Sequence, residues 1–151
     1  MNQPSFECSL GDAGGIGPEV LARALVAAPG GTARIHAHAD LILGAAADVS
    51  PELEAALAAC EGRTWIAAPP GSRPAGALTK GRYDSAWGAY GLRSLEAAAQ
   101  AALSQRRPLV TGPLSKRSFI DGGAGPVGHT EFLSRLAGVP AQVIERAGEI
   151  L

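Results

Sequence analysis

The stretch "GDAGGIGPEVLARAL", residues 11–25, sets four glycines and a proline directly ahead of an apolar run at helical spacing. No other feature constrains the chain as strongly, because a Gly-rich turn feeding straight into a helix is how strand-to-helix units are joined. Pro18 suits a first helical turn, where its missing N–H costs nothing, and Glu19 lies near the positive end of the dipole. Val20, Leu21, Ala24 and Leu25 share one face, and "PGG" at 29–31 stops the run. The turn is not a dinucleotide fingerprint: Gly15-Ile16-Gly17 is followed by Pro18-Glu19-Val20, with neither Gly nor Ala in the last place. A P-loop is excluded as well, since no Lys-Ser/Thr follows the glycines. Glycines still permit close backbone approach, and a helix N-terminus attracts anions, although Asp12 opposes that. A tight strand-to-helix turn and a ligand loop both stay open.

Helix and strand signals alternate along the rest of the chain. "TARIHAHAD" reads as a short strand with Ile35 and Ala37 on one side and His36 and His38 on the other. A helix begins at "SPELEAALAAC", where Ser50 can cap and Pro51 opens the first turn. The Pro- and Gly-rich stretch "AAPPGSRPAGALTKG" reads as a loop, and Trp87 to about Ser104 as a long helix. "RPLVTGPLS" supplies a brief buried strand and a Gly-Pro turn. In "GHTEFLSRLAGVP", Thr130 is the expected N-cap, Phe132, Leu133 and Leu136 form the apolar face, and Gly138 ends the helix. The alternation predicts an α/β fold. With 151 residues, 46% of them apolar, one soluble domain is expected.

Charge narrows the function. A formal net charge of −1 provides no basic face by composition, so the expected partner is a small molecule and not nucleic acid. The opening "MNQPSFECSL" has no basic-then-apolar leader, and no stretch is apolar for the length of a membrane span, so a cytoplasmic location is expected. Cys8 and Cys60 lack metal-ligand spacing and read as two reduced thiols. "VTGPLSK" sets Thr111, Ser115 and Lys116 around a turn beyond a strand, where a cation and hydroxyls can meet a phosphorylated ligand; a solvated lysine is the alternative. "GPVGHTEFL" sets His129 and Thr130 at a helix start, as ligand contacts or as ordinary structural groups.

Taken in order, "GDAGGIGPE", "GRYDSAWGAY", "VTGPLSK" and "GHTEFL" resemble the N-terminal half of the 4-hydroxythreonine-4-phosphate dehydrogenase family, from Gly11 to about Pro140. The resemblance implies an isocitrate/isopropylmalate-dehydrogenase-like α/β architecture, a homodimer, and an active site between two lobes. It also implies oxidation by NAD, with a divalent metal (Zn, Mg or Co), of 4-phosphohydroxy-L-threonine or a related phosphorylated hydroxy acid, followed by decarboxylation on the route to pyridoxal phosphate. By the same resemblance His129, Thr130 and Lys116 are substrate contacts, and Asp12, Gly17, Glu19, Thr111 and Gly112 belong to active-site loops.

Two departures matter. Ala13 stands where the family has Pro and Gly14 where it has Ala, which loosens the loop. The family's three metal-binding histidines follow the GHTE motif, and this sequence has no His after His129. The expectation is therefore a single incomplete domain over 1–151, with the second lobe largely missing, no metal site, and no activity by itself. Competing readings are a non-catalytic binding or interaction remnant, a relative acting on phosphorylated four-carbon sugar acids, and a minor metal site at His36, His38 and Asp40 on one strand face.

Overall fold

The computed structural model describes residues 4–27 and 31–144. The alternation predicted from the sequence is present: β1 (Phe6–Cys8), α1 (Gly17–Ala27), β2 (Ala33–Ile35), α2 (Ala39–Val49), α3 (Pro51–Cys60), β3 (Trp65–Ala67), α4 (Ser85–Gln105), β4 (Leu109–Val110), α5 (Lys116–Asp121) and α6 (His129–Ala137). The strands form one parallel sheet in the order β3-β2-β1-β4, with Glu7 opposite Arg34 on one side and Leu109 on the other. Successive strands run outward from β1 in one direction, then the chain returns to place β4 on its other flank. The gap between β1 and β4 is therefore the topological switch point, where open α/β sheets place their ligands beyond the carboxyl ends of the strands.

Several helix ends follow directly from the sequence. Ser50 Oγ accepts from Leu53 N at 3.1 Å and Pro51 opens α3. The Asp84 carboxylate accepts from Ala86 N and Trp87 N at 2.9 and 3.1 Å, starting α4. Gly138 ends α6 in the left-handed region at φ 66°. The loop from Ala68 to Asp84 is irregular, as its prolines and glycines dictate.

Other expectations are corrected. On α1 the buried face is Pro18, Ala22 and Leu25, while Val20 and Ala24 are exposed, because the neighbouring helices cover a stripe turned from the one read off the sequence. Its expected "PGG" stop lies partly outside the described residues. Neither α2 nor β3 was anticipated. The first is apolar almost throughout and offers no periodic contrast, and the second is three residues long. β4 is not buried: it lies at the sheet margin and Val110 is 48% exposed. Thr130 does not cap α6, since Gly128 takes that position and the Glu131 carboxylate accepts its N–H at 3.0 Å.

Two apolar clusters hold these elements. The larger one joins the sheet to α1, α2, α3 and the first turns of α4 through Leu10, Ile35, Ile42, Leu57, Trp65 and Tyr90. The smaller one joins α4, α5 and α6 through Leu92, Leu95, Phe119 and Val127. No helix among the described residues is long and apolar enough to cross a membrane.

Candidate functional site

Beyond the carboxyl ends of β1 and β4 the two following loops cross at backbone contact. Asp12 N donates to Pro113 O at 2.9 Å, and Gly112 N to Ser9 O at 3.1 Å. A Cβ on Gly11, whose φ is +78°, would meet Pro113 O at 2.3 Å, and one on Gly112 would meet Leu10 O at 2.4 Å. Gly17 faces the same Leu10 carbonyl, at 2.6 Å from its would-be Cβ. These glycines let main chain pass main chain, as a tight turn at these positions requires.

Asp12 fastens the crossing. Its Oδ2 accepts from Ser115 N at 2.8 Å and its Oδ1 from Ser118 Oγ at 2.5 Å, while the hydroxyls of Ser115 and Ser118 lie 2.9 Å apart. A carboxylate here also complements the positive end of α5. On the other side of the loop, Ser94 of α4 accepts from Leu10 N at 2.9 Å and donates to His36 O at 2.6 Å, so a buried hydroxyl satisfies the Leu10 amide two residues beyond β1.

His129, the first residue of α6, closes the group. Its ring packs edge-on against Phe119 at 5.3 Å, and its buried Nε2 has no hydrogen-bond partner among the described residues. Burial pushes the imidazole below its ordinary pKa; the Gly112 backbone and the Asp12 charge oppose this to a smaller degree. The opening motif, the "VTGPLSK" turn and the "GHTE" helix start, separated in sequence by about a hundred residues and then fifteen, thus meet at one junction. Of the sequence-predicted residues, Asp12, Gly17, Gly112 and His129 share it. Thr130 follows His129 and is half-buried, whereas Thr111 stands exposed on the turn and Lys116 is exposed at the start of α5. Glu19 pairs with Arg23 at 3.2 Å and Lys80 at 3.6 Å.

A cleft of about 210 Å³ opens beside the crossing, lined among others by Asp12, Gly15, Arg82, Tyr83, Trp87 and Ser115. Tyr83 donates to Asp121 Oδ2 at 2.5 Å, and its hydroxyl is pushed up to about 12 by burial first and by Asp121 second. It remains a protonated donor at neutral pH. Sequence reasoning did not single out Tyr83, Ser94 or Ser118, since an isolated hydroxyl carries no spacing signal.

It also missed Glu7, although an acid inside the apolar run "SFECSL" was the available clue, because a buried carboxylate requires partners. Glu7 is fully buried and its two oxygens meet His36 Nε2 at 2.8 Å and Arg107 at 2.9 Å. This overturns the strand-face metal reading. His36 is committed to Glu7, His38 precedes α2 with its Nδ1 2.8 Å from Tyr90 Oη, and Asp40 pairs with Arg73. No group of three or more His, Cys, Asp or Glu among the described residues could hold a metal ion. At Gly11, Gly17 and Gly112 backbone already occupies the space a side chain would take. Cys8 and Cys60 are free thiols, and burial pushes that of Cys8 up to about 12.

Fold and site define an α/β protein with a parallel sheet and a loop-built site at its switch point. No family model matches the chain. It is 36% identical over 152 residues to a 4-hydroxythreonine-4-phosphate dehydrogenase of Cupriavidus pinatubonensis, across 93% of this chain and 42% of that one. A Burkholderia vietnamiensis protein of the same name is 35% identical over 143 residues, across 91% and 42%. The crystal structure of a 4-hydroxythreonine-4-phosphate dehydrogenase from Burkholderia phymatum superposes with a TM-score of 0.68 at 22% identity, covering 93% of this chain and 45% of that one, which supports the fold. The chain belongs to the 4-hydroxythreonine-4-phosphate dehydrogenase family, of which it is the N-terminal part. It spans less than half the length of the relatives it matches.

Proposed function

We propose that this chain supplies one wall of the active site of an NAD- and divalent-metal-dependent dehydrogenase that oxidises a phosphorylated hydroxy acid, foremost 4-phosphohydroxy-L-threonine, in pyridoxal phosphate biosynthesis. The observation that carries this reading is the meeting of three separated motifs at the β1/β4 switch point, in a chain whose curated relatives bear that name. His129 and Thr130 contact the substrate, and Lys116, exposed at the first position of α5, neutralises the phosphate. Asp12 does not touch substrate in this reading: it holds Ser115 and Ser118, and through them the turn that presents Lys116.

In this reading the metal and the dinucleotide are held mainly by an isocitrate/isopropylmalate-dehydrogenase-like second lobe, and the present chain is inactive alone; the lack of a metal-holding cluster among the described residues supports it. The complete enzyme is a cytoplasmic homo-oligomer that uses neither nucleic acid nor membrane. The test joins this chain to the part of the Cupriavidus protein beyond its match and follows NADH formation with substrate and divalent metal. His129→Ala and Lys116→Ala should each lower kcat/KM by about a hundredfold, the scale of a lost charge-assisted contact. Strong NADH production by the 151-residue chain alone would overturn the assignment of the cofactor groups to the second lobe. Turnover confined to phosphorylated four-carbon sugar acids would reassign the substrate.

A further inference from the structure

Residues 68–84 run from the end of β3 to the start of α4 with no helix or strand, and none of them is fully buried. Irregular segments longer than about 12–15 residues are uncommon inside a domain and mostly serve as lids or binding loops. This one lies across the opening glycine loop. Gly81 N donates to Gly14 O at 2.8 Å, and a Cβ on Gly14 would meet the carbonyls of Thr79 and Arg82 at 3.2 and 3.3 Å. Gly14 is thus the seat of the segment. The cleft beside Asp12 is lined by residues 81–84 of the segment and by residues 12–15 of the glycine loop, so any rise of the segment off Gly14 widens it. The fastenings are exposed. Lys80 pairs with Glu19 of α1 at 3.6 Å and Asp48 of α2 at 3.9 Å, and it is 49% exposed. Arg73, 42% exposed, pairs with Asp40 of α2, and its guanidinium lies 5.8 Å from the centre of the Trp87 ring. At the far end Tyr83 donates to Asp121 of α5 at 2.5 Å. Between these ends the indole Nε1 of Trp87, at the buried start of α4, donates to Gly76 O at 3.1 Å.

We propose that residues 68–84 form a strap that lifts off Gly14 to admit a ligand to the cleft, and that the ion pairs of Lys80 and Arg73 set how often it lifts. A segment with no fully buried residue, held by exposed charges, opens locally at far less cost than the domain unfolds. Such pairs are individually weak and are screened by salt, so opening responds to ionic strength. The ground beneath does not move with it, because Trp87 and Gly88 are buried in α4. The strap rests on the proposed function for the kind of ligand that enters, a phosphorylated hydroxy acid. Its lifting is measured on this chain without turnover, so the two can fail separately.

Hydrogen exchange tests it at two protons held by the strap, the Gly81 amide and the Trp87 indole Nε1–H. The indole Nε1–H of Trp65, donated to Leu57 O inside the closed core, serves as the reference. Raising salt from about 0.02 to about 0.5 M should speed both strap protons by about fivefold, the scale of one exposed ion pair, and leave Trp65 unchanged. Lys80→Gln should reproduce that gain at low salt and blunt the further response. Gly14→Ala, whose methyl pushes against the Thr79 and Arg82 carbonyls, should also speed exchange, whereas Gly44→Ala, with no atom within 4 Å of its added methyl, should not. Acrylamide serves as the small-molecule probe of entry: Trp87 lines the cleft and is 4% exposed, so its quenching should rise with the exchange rate. The proposal is overturned if the strap protons exchange only as slowly as that of Trp65, or if Gly81 is unprotected at low salt. Exchange indifferent to both salt and Lys80→Gln overturns it too, as does faster exchange that brings acrylamide no closer to Trp87.

Discussion

The two apolar clusters differ in how completely the chain closes them. In the larger one, Trp65, Tyr90, Leu57 and Ile42 are fully enclosed, and the indole Nε1 of Trp65 donates to Leu57 O at 3.0 Å. The smaller one encloses Phe119 fully, but its α6 contributors, Phe132 and Leu133, are only half-buried. The residues proposed to meet substrate ride on this second, open cluster, while the first serves as their anchor. Such a division matches a general pattern in which binding groups sit on mobile elements carried by a rigid scaffold.

Substitutions can break or sharpen that contrast. Trp65→Ala in the closed cluster should cost about 3–5 kcal/mol and abolish cooperative unfolding or lower Tm sharply in a thermal melt. Gly112→Ala strikes the crossing between the clusters, where the added methyl meets backbone that cannot retreat; a loss of about 3 kcal/mol is expected in urea titration. Asp12→Ala removes two hydrogen bonds and leaves Ser115 N–H unpaired, with an expected loss of about 2 kcal/mol and faster amide exchange across α5. Phe132→Ala in the open cluster should cost only about 1 kcal/mol, and a loss equal to that of Trp65→Ala would erase the distinction.

Acidification gives the smallest effect. The folded-state pKa of His129 lies below its ordinary value of 6.5, so between the two the unfolded chain binds more protons. The contribution of His129 is present above pH 6.5 and is lost as pH falls through the window beneath it. Melts from pH 7.5 to 5.5, values on the order of a unit either side of 6.5, should show a decline that His129→Gln reduces. An unchanged decline would mean that the open cluster does not enclose the ring.

How much of this was legible in the sequence depended on range. Caps at Ser50 and Gly138 and the long helix through Ala98 were readable because a few adjacent residues satisfy their own backbone groups. The order of the motifs gave the family and hence the candidate site. α2 was hidden because "ADLILGAAADV" is apolar on most sides, and the pairing of His36 was hidden because its partner lies twenty-nine residues away.

By itself, then, the sequence determined the strand-and-helix alternation in outline, the caps at Ser50 and Gly138, and the identity of the family, since these rest on neighbours along the chain and on motif order. Tertiary structure alone decided that Gly11 and Gly112 serve a backbone crossing, that Glu7 binds the histidine suspected of holding metal, and that β4 is a margin and not a buried strand. The physical reason is the same in each case: close approach, burial and exposure are set by which distant segments pack together, and no local spacing encodes that.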